Sequence, residues 1–99
     1  MTTYFISRHA GAKDWIAKQG IDIDKIQSHL DINDVSTGDT IIGTLPVQLV
    51  AEVCQRGAEY LHLTLNLPEH LRGKDLSSTD MNSVGAKLEC FVAKKVIRK

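Results

Sequence analysis

Hydrophobic and polar positions in this chain fall into short blocks whose period switches between that of a strand and that of a helix. Residues 2–6 (TTYFI) are β-branched and aromatic and predict a largely buried strand. The apolar run stops at Ser7, Arg8 and His9; Gly11 follows, and from Ala12 a helical face of Ala12, Trp15, Ile16 and Gln19 runs to a glycine stop at Gly20. Residues 25–30 read as a short strand with imperfect alternation, a helical turn from Asp24 being the competing reading. Residues 31–39 are dense in turn formers and predict a loop. Thr40, Ile41 and Ile42 make a second buried strand, after which Gly43-Thr44-Leu45-Pro46 opens a helix, with Pro46 in its first turn and Thr44 as its cap. Val47, Val50, Ala51, Val53 and Cys54 form the expected buried face of that helix, which stops at Arg56-Gly57.

The cleanest alternation lies at residues 59–65, with Leu61, Leu63 and Leu65 on one side and Tyr60, His62 and Thr64 on the other. Inside a strand, His62 reads first as a packed sheet histidine. Residues 69–76 form a loop or short helix. Ser77, Ser78 or Thr79 caps a last helix carrying Asp80 in its first turn; Met81, Val84 and Leu88 keep helical spacing, weakened by Gly85. Beyond Leu88 two patterns fit: Leu88, Cys90, Val92 and Val96 suit a final strand, while Leu88, Phe91, Val92 and Val96 suit a continuing helix.

Strands separated by helical crossovers predict a mostly parallel sheet covered on both faces, an α/β fold of the minimal Rossmann-like, three-layer sandwich type, in one domain over residues 1–99. Ligands of such sheets bind outside the carboxyl ends of the strands, where helix N-termini offer free N–H groups to anions. Two stretches, Ser7-Arg8-His9-x-Gly11 and Gly43-Thr44-Leu45-Pro46, are expected to open there. Each also has a plain reading: polar residues end strands because loops are solvated, and Gly-Thr-Leu-Pro is a good helix start. Arg72 and Lys74 around Gly73 read either as a clamp for an anion or as a solvated loop. No G-x-G-x-x-G or P-loop is present.

Composition narrows the partners. The 12 basic and 12 acidic residues give a formal net charge of zero, which argues against duplex nucleic acid but leaves room for a small phosphate ligand in a local cationic pocket. At 5% aromatics, extended base stacking is not expected. Cys54 and Cys90 read as small buried hydrophobes, not as a disulfide. His9, His29, His62 and His70 lack ligand spacing, so no metal and no cofactor are expected. No apolar stretch approaches the roughly 20 residues of a membrane span and no signal-peptide layout opens the chain, so no membrane association and a cytoplasmic location are the expectations.

Three stretches in combination carry a family resemblance. They are Tyr-Phe-Ile-Ser-Arg-His-x-Gly-Ala-x-x-Trp at residues 4–15, Gly-Asp-Thr-x-Ile-Gly-Thr-Leu-Pro-Val at 38–47, and Ala-Glu-Val-Cys-x-Arg-Gly-Ala-x-Tyr-Leu-His-Leu at 51–63, running on to Leu67-Pro68 and Arg72-Gly73-Lys74. Over nearly its whole length the chain resembles the small Csx-type CRISPR-associated proteins encoded beside type III systems, number sixteen of that series. The resemblance implies a ring nuclease of CARF-like fold. Such a protein binds cyclic tetra-adenylate, the second messenger of the activated type III complex, as a homodimer with the ligand across the two-fold axis. It degrades the ring without a metal: a ribose 2′-hydroxyl attacks the adjacent phosphodiester, giving linear di-adenylate with a 2′,3′-cyclic phosphate and switching off the antiviral response.

That chemistry asks the protein only for geometry and charge stabilisation, since the nucleophile belongs to the substrate. Arg8 is the expected stabiliser of the phosphorane, its planar fork matching phosphate oxygens. His9 is the expected general acid or base, histidine being the side chain that exchanges protons near neutral pH. Ser7 and Thr44 offer hydroxyls to phosphates, Lys13 a further cation, and Gly11, Gly43, Leu45 and Pro46 the surrounding backbone. The competing roles are an ion pair of Arg8 with Asp14 or Asp39, and a helix-capping role for His9. Two rival functions use the same residues: a protein that sequesters the cyclic nucleotide uncut, and an interaction module with no nucleotide ligand. A metal-dependent nuclease is disfavoured, because no carboxylate cluster follows the strand ends.

Overall fold

The computed structural model describes residues 1–71 and 73–98. Five strands, β1 (Thr3–Ile6), β2 (Lys25–Gln27), β3 (Thr40–Gly43), β4 (Glu59–Thr64) and β5 (Lys87–Phe91), form one sheet in the order β2-β1-β3-β4-β5. Pairing is parallel from β2 through β4, and only β5 runs antiparallel to its neighbour. Among the described residues the α-helices are α1 (Ala10–Ala17), α2 (Val47–Gln55) and α3 (Ser78–Ser83). This is the expected minimal Rossmann-like sandwich.

The period-2 alternation of the strands sorts the core into two layers. Tyr4, Ile6, Ile41 and Tyr60 point to one face, where Val50 and Val53 of α2 cover them together with Val35. Phe5, Ile42 and Leu63 point to the other, against Ala12, Trp15 and Ile16 of α1 and Met81 of α3. Each fully buried side chain of this size contributes about 1.5–3 kcal/mol, so Phe5, Ile41, Ile42 and Val53, all at 0% exposure, hold the sheet between its helices. The Trp15 indole donates to Asn82 Oδ1 at 3.0 Å, which ties α1 to α3. No helix among the described residues is long and apolar enough to cross a membrane.

Several local expectations are corrected. Thr44 caps nothing: Pro46 itself stands at the N-cap of α2, without a side-chain hydrogen bond. Val47, expected on the buried face, is 72% exposed, because α2 begins there and its first turn overhangs the sheet. Cys90 is exposed, since it lies on the edge strand β5; Cys54 is half-buried, and both are free thiols. Of the ambiguous stretch after Leu88, residues up to Phe91 belong to β5, while Val92 and Val96, expected to continue either a strand or a helix, are exposed and lie outside any regular element. α3 ends at Ser83, and Gly85 adopts φ +71°, which reverses the chain into β5.

At the amino-end rim, Asp39 is buried and accepts the N–H groups of Ser36 and Thr2, both at 2.9 Å. Those backbone bonds hold its carboxyl below the usual value, outweighing the opposing effect of burial. A depressed carboxyl stabilises the fold above its unfolded-state value, and the contribution is lost as pH falls through the folded-state value. Asp39→Ala is therefore expected to lower the unfolding free energy at pH 7 by about 1.5–3 kcal/mol. It is also expected to flatten the acid side of the stability profile, checked by urea titrations between pH 2 and 7.

Candidate functional site

The site begins with a register. Ile6, the last residue of β1, pairs with Gly43, the last residue of β3, and Gly43 pairs with His62 of β4. The chain leaves β1 and β3 in the same direction, β1 into α1 on one face and β3 into α2 on the other. Adjacent parallel strands whose helices depart to opposite faces form a topological switch point, the crevice where open α/β sheets place ligands. Both polar turns, Ser7-Arg8-His9 and Thr44-Leu45-Pro46, stand at this rim. The two strand ends lie close: a Cβ on Gly43 would come within 2.9 Å of the Ile6 carbonyl oxygen.

Both helices that start here have open N-termini. His9 occupies the N-cap of α1 but its side chain makes no capping bond, and no acidic residue stands in the first turn. The first backbone bond into that helix is Lys13 N–H to His9 O at 3.2 Å, so the N–H groups of Ala10, Gly11 and Ala12 lack intrahelical acceptors. In α2 the first bonds come from Leu49 and Val50, both to Pro46 O, leaving the N–H groups of Val47 and Gln48; again no acid stands in the first turn. By contrast α3 carries a capping box between Ser77 and Asp80, and Asp31 caps the 3-10 turn Ile32–Asp34.

A cavity of about 410 Å³ opens beside α1, lined by Arg8, His9, Ala10, Gly11, Asp75, Leu76 and Ser77. Arg8 is exposed, and neither ion pair found among the described residues, His9–Asp75 and Lys87–Glu89, involves it. The expected alternative partner Asp39 is spent on Thr2 and Ser36 at the opposite rim. His9 Nδ1 lies 3.4 Å from Asp75 Oδ1; with both side chains exposed the pair adds little to stability. Ser7 Oγ accepts the His9 N–H at 3.1 Å and shapes the turn.

Of the residues singled out from the sequence, the structure therefore gathers Arg8, His9 and Gly11 around one cavity. Gly43, Thr44, Leu45 and Pro46 stand at the neighbouring strand end on the same rim, outside that cavity's lining. Lys13 is half-buried on α1 and Lys74 is exposed in the loop; neither lines the cavity. Arg72 lies outside the described residues. Gly11 has a reason that the sequence did not reveal: a Cβ there would sit 1.7 Å from the Leu76 carbonyl oxygen. Only glycine lets the 75–77 loop close onto α1 and form the far wall. Asp75, Leu76 and Ser77 were missed, as was Tyr60. The Tyr60 hydroxyl accepts the Leu45 N–H at 3.0 Å, and burial raises its pKa, with the Leu45 bond opposing. The alternation of β4 had placed Tyr60 and His62 on one face, but only the register of β4 on β3 brings them to the second turn.

Residues 4–94 match the model of a family described as "Putative CRISPR-associated protein (Cas_VVA1548)". No curated protein and no solved structure matches the chain.

The loop contact makes a specific forecast. Gly11→Ala is expected to push the Leu76 carbonyl away, lowering the unfolding free energy by about 1–3 kcal/mol and shifting the backbone amide resonances of Leu76 and Ser77 more than those of β3.

Proposed function

As the chain belongs to this CRISPR-associated family, we propose that it is a ring nuclease acting on cyclic tetra-adenylate, the second messenger of type III systems. The observation that carries the reading is the pairing of Ile6 with Gly43, which opens two uncapped helix N-termini at one switch point, with Arg8 exposed beside the first of them. Open N-termini attract phosphate through their N–H groups and their partial positive charge. The Arg8 charge is a local one, in keeping with a chain of zero formal charge.

In this reading the backbone N–H groups of Ala10, Gly11 and Ala12 grip one phosphate and those of Val47 and Gln48 another. A ribose between them is thereby turned until its 2′-oxygen is in line with the leaving 5′-oxygen. His9, beside Asp75, takes the 2′-hydroxyl proton; the O2′–P bond forms, the P–O5′ bond breaks, and the 5′-oxygen takes up a proton. Arg8 stabilises the negative charge that gathers on the phosphorane. Each cut consumes no water and leaves a 2′,3′-cyclic phosphate; two cuts divide the ring into two linear di-adenylates. A homodimer placing the ligand on its two-fold axis supplies the second set of groups.

Pure protein incubated with cyclic tetra-adenylate in EDTA is expected to yield linear di-adenylate with a 2′,3′-cyclic phosphate over many turnovers. Arg8→Ala is expected to slow the cut by about 10²–10³-fold, the usual cost of removing one group that stabilises developing charge. A ring bound tightly but intact after many equivalents of protein favours a sequestering protein; absence of binding defeats both readings.

A further inference from the structure

The Tyr60 hydroxyl stands behind the second turn with more partners than it has protons. Tyr60 is 2% exposed, its ring buried in the α2-side core with Tyr4, Ile41 and Val53. Its oxygen lies 3.0 Å from Leu45 N, 3.0 Å from Gly43 O and 2.7 Å from His62 Nδ1. Gly43 and Leu45 bracket Thr44, so one side chain holds both sides of the bend that joins β3 to the open N-terminus of α2.

A phenol has one hydrogen to give and lone pairs to receive. The Leu45 N–H fills one lone pair. The Gly43 carbonyl and Nδ1 of His62 meet the same oxygen, and the 2.7 Å approach ties the imidazole to it in either tautomer. The imidazole is held in place. The Phe91 ring meets it edge-on at 5.5 Å between centroids, and Glu89 lies opposite it in the β4–β5 register, with Lys87 3.9 Å from that carboxylate. On the β3 side its register partner is Gly43, which carries no charge.

We propose that Tyr60 and His62 are positioning residues of the phosphate site: His62 Nδ1 holds the Tyr60 hydroxyl against the Gly43–Leu45 backbone, and that hydroxyl fixes the bend that aims the N–H groups of Val47 and Gln48. The inference rests on the reading of this rim as the site of ring cleavage. Neither residue touches the ligand; both act through the backbone of residues 43–45.

The test uses the full chain with Tyr60→Phe, His62→Ala and His62→Asn, the last keeping a hydrogen-bonding atom near the position of Nδ1. Amide hydrogen exchange of the free protein is read first, then single-turnover cleavage and binding of cyclic tetra-adenylate. In Tyr60→Phe and His62→Ala the Leu45 amide is expected to lose protection by on the order of tenfold while the amides of β1 keep theirs. Single-turnover cleavage is expected to fall about tenfold or more with binding changed by less than about threefold, the mark of misalignment. His62→Asn is expected to recover most of both. Unchanged Leu45 protection in both Tyr60→Phe and His62→Ala overturns the proposal whatever happens to activity, as does wild-type cleavage by Tyr60→Phe. If Leu45 protection falls but the wild type leaves the ring intact, the nuclease reading fails and the hold on the turn stands.

Discussion

The parallel pairing of β1 with β3, closing at Ile6 and Gly43, is the constraint on which the rest of this molecule depends. A parallel neighbour cannot be reached by a hairpin, so each of these strands must hand the chain to a crossover. Because β2 lies on one side of β1 and β4 lies beyond β3, the two crossovers part at this pairing. The result is a rim at which two strands end together and two helices begin, one on each face. Gly43 belongs to the same constraint, since any side chain there would press on the Ile6 carbonyl.

Packing makes that rim rigid where it must be and leaves it open where a ligand would enter. Behind the rim the two apolar layers are closed, with Phe5 and Ile42 on one face and Ile41 and Val53 on the other fully buried. The opposite rim is tied by the Asp39 carboxylate, which closes the amino ends of β1 and β3 through backbone bonds to Thr2 and Ser36. At the carboxyl rim the polar side chains are spent on turn geometry or left to solvent: Ser7 on the His9 N–H, Tyr60 on Gly43 and Leu45, and Arg8 exposed. A local cationic point on a chain with no net charge has the electrostatic form expected of a small-phosphate site, unlike the broad basic face of a duplex binder.

Much of this was legible from the order of residues. The blocks around Tyr4-Phe5-Ile6 and Ile41-Ile42 carry a strong strand signal, and their junctions with Gly11 and Pro46 mark where helices begin, so the parallel sheet and its rim followed from local chemistry. What remained hidden depended on distant partners. Residues 87–91 carry both periods, and their strand character comes from pairing with β4, which no local pattern reveals. Gly11 read as an anion cradle, but the 1.7 Å approach to Leu76 comes from a loop some 65 residues away. Thr44 had the composition of a cap, yet Pro46 starts the helix two residues later. His62 read as a packed histidine beside Tyr60 on one face of its strand, but the reach of the Tyr60 hydroxyl to Gly43 and Leu45 needs the register of β4 on β3 and the bend that follows β3.

In the proposed reading the carboxyl ends of β1 and β3 form one phosphate-binding rim. Titrating the 15N-labelled protein with cyclic tetra-adenylate, with every backbone amide followed, is then expected to give the largest shifts at Ala10, Gly11 and Ala12 together with Val47 and Gln48, saturating at one common concentration. Shifts confined to the rim of Thr2, Ser36 and Asp39, or to one of the two helix starts, would rule that rim out.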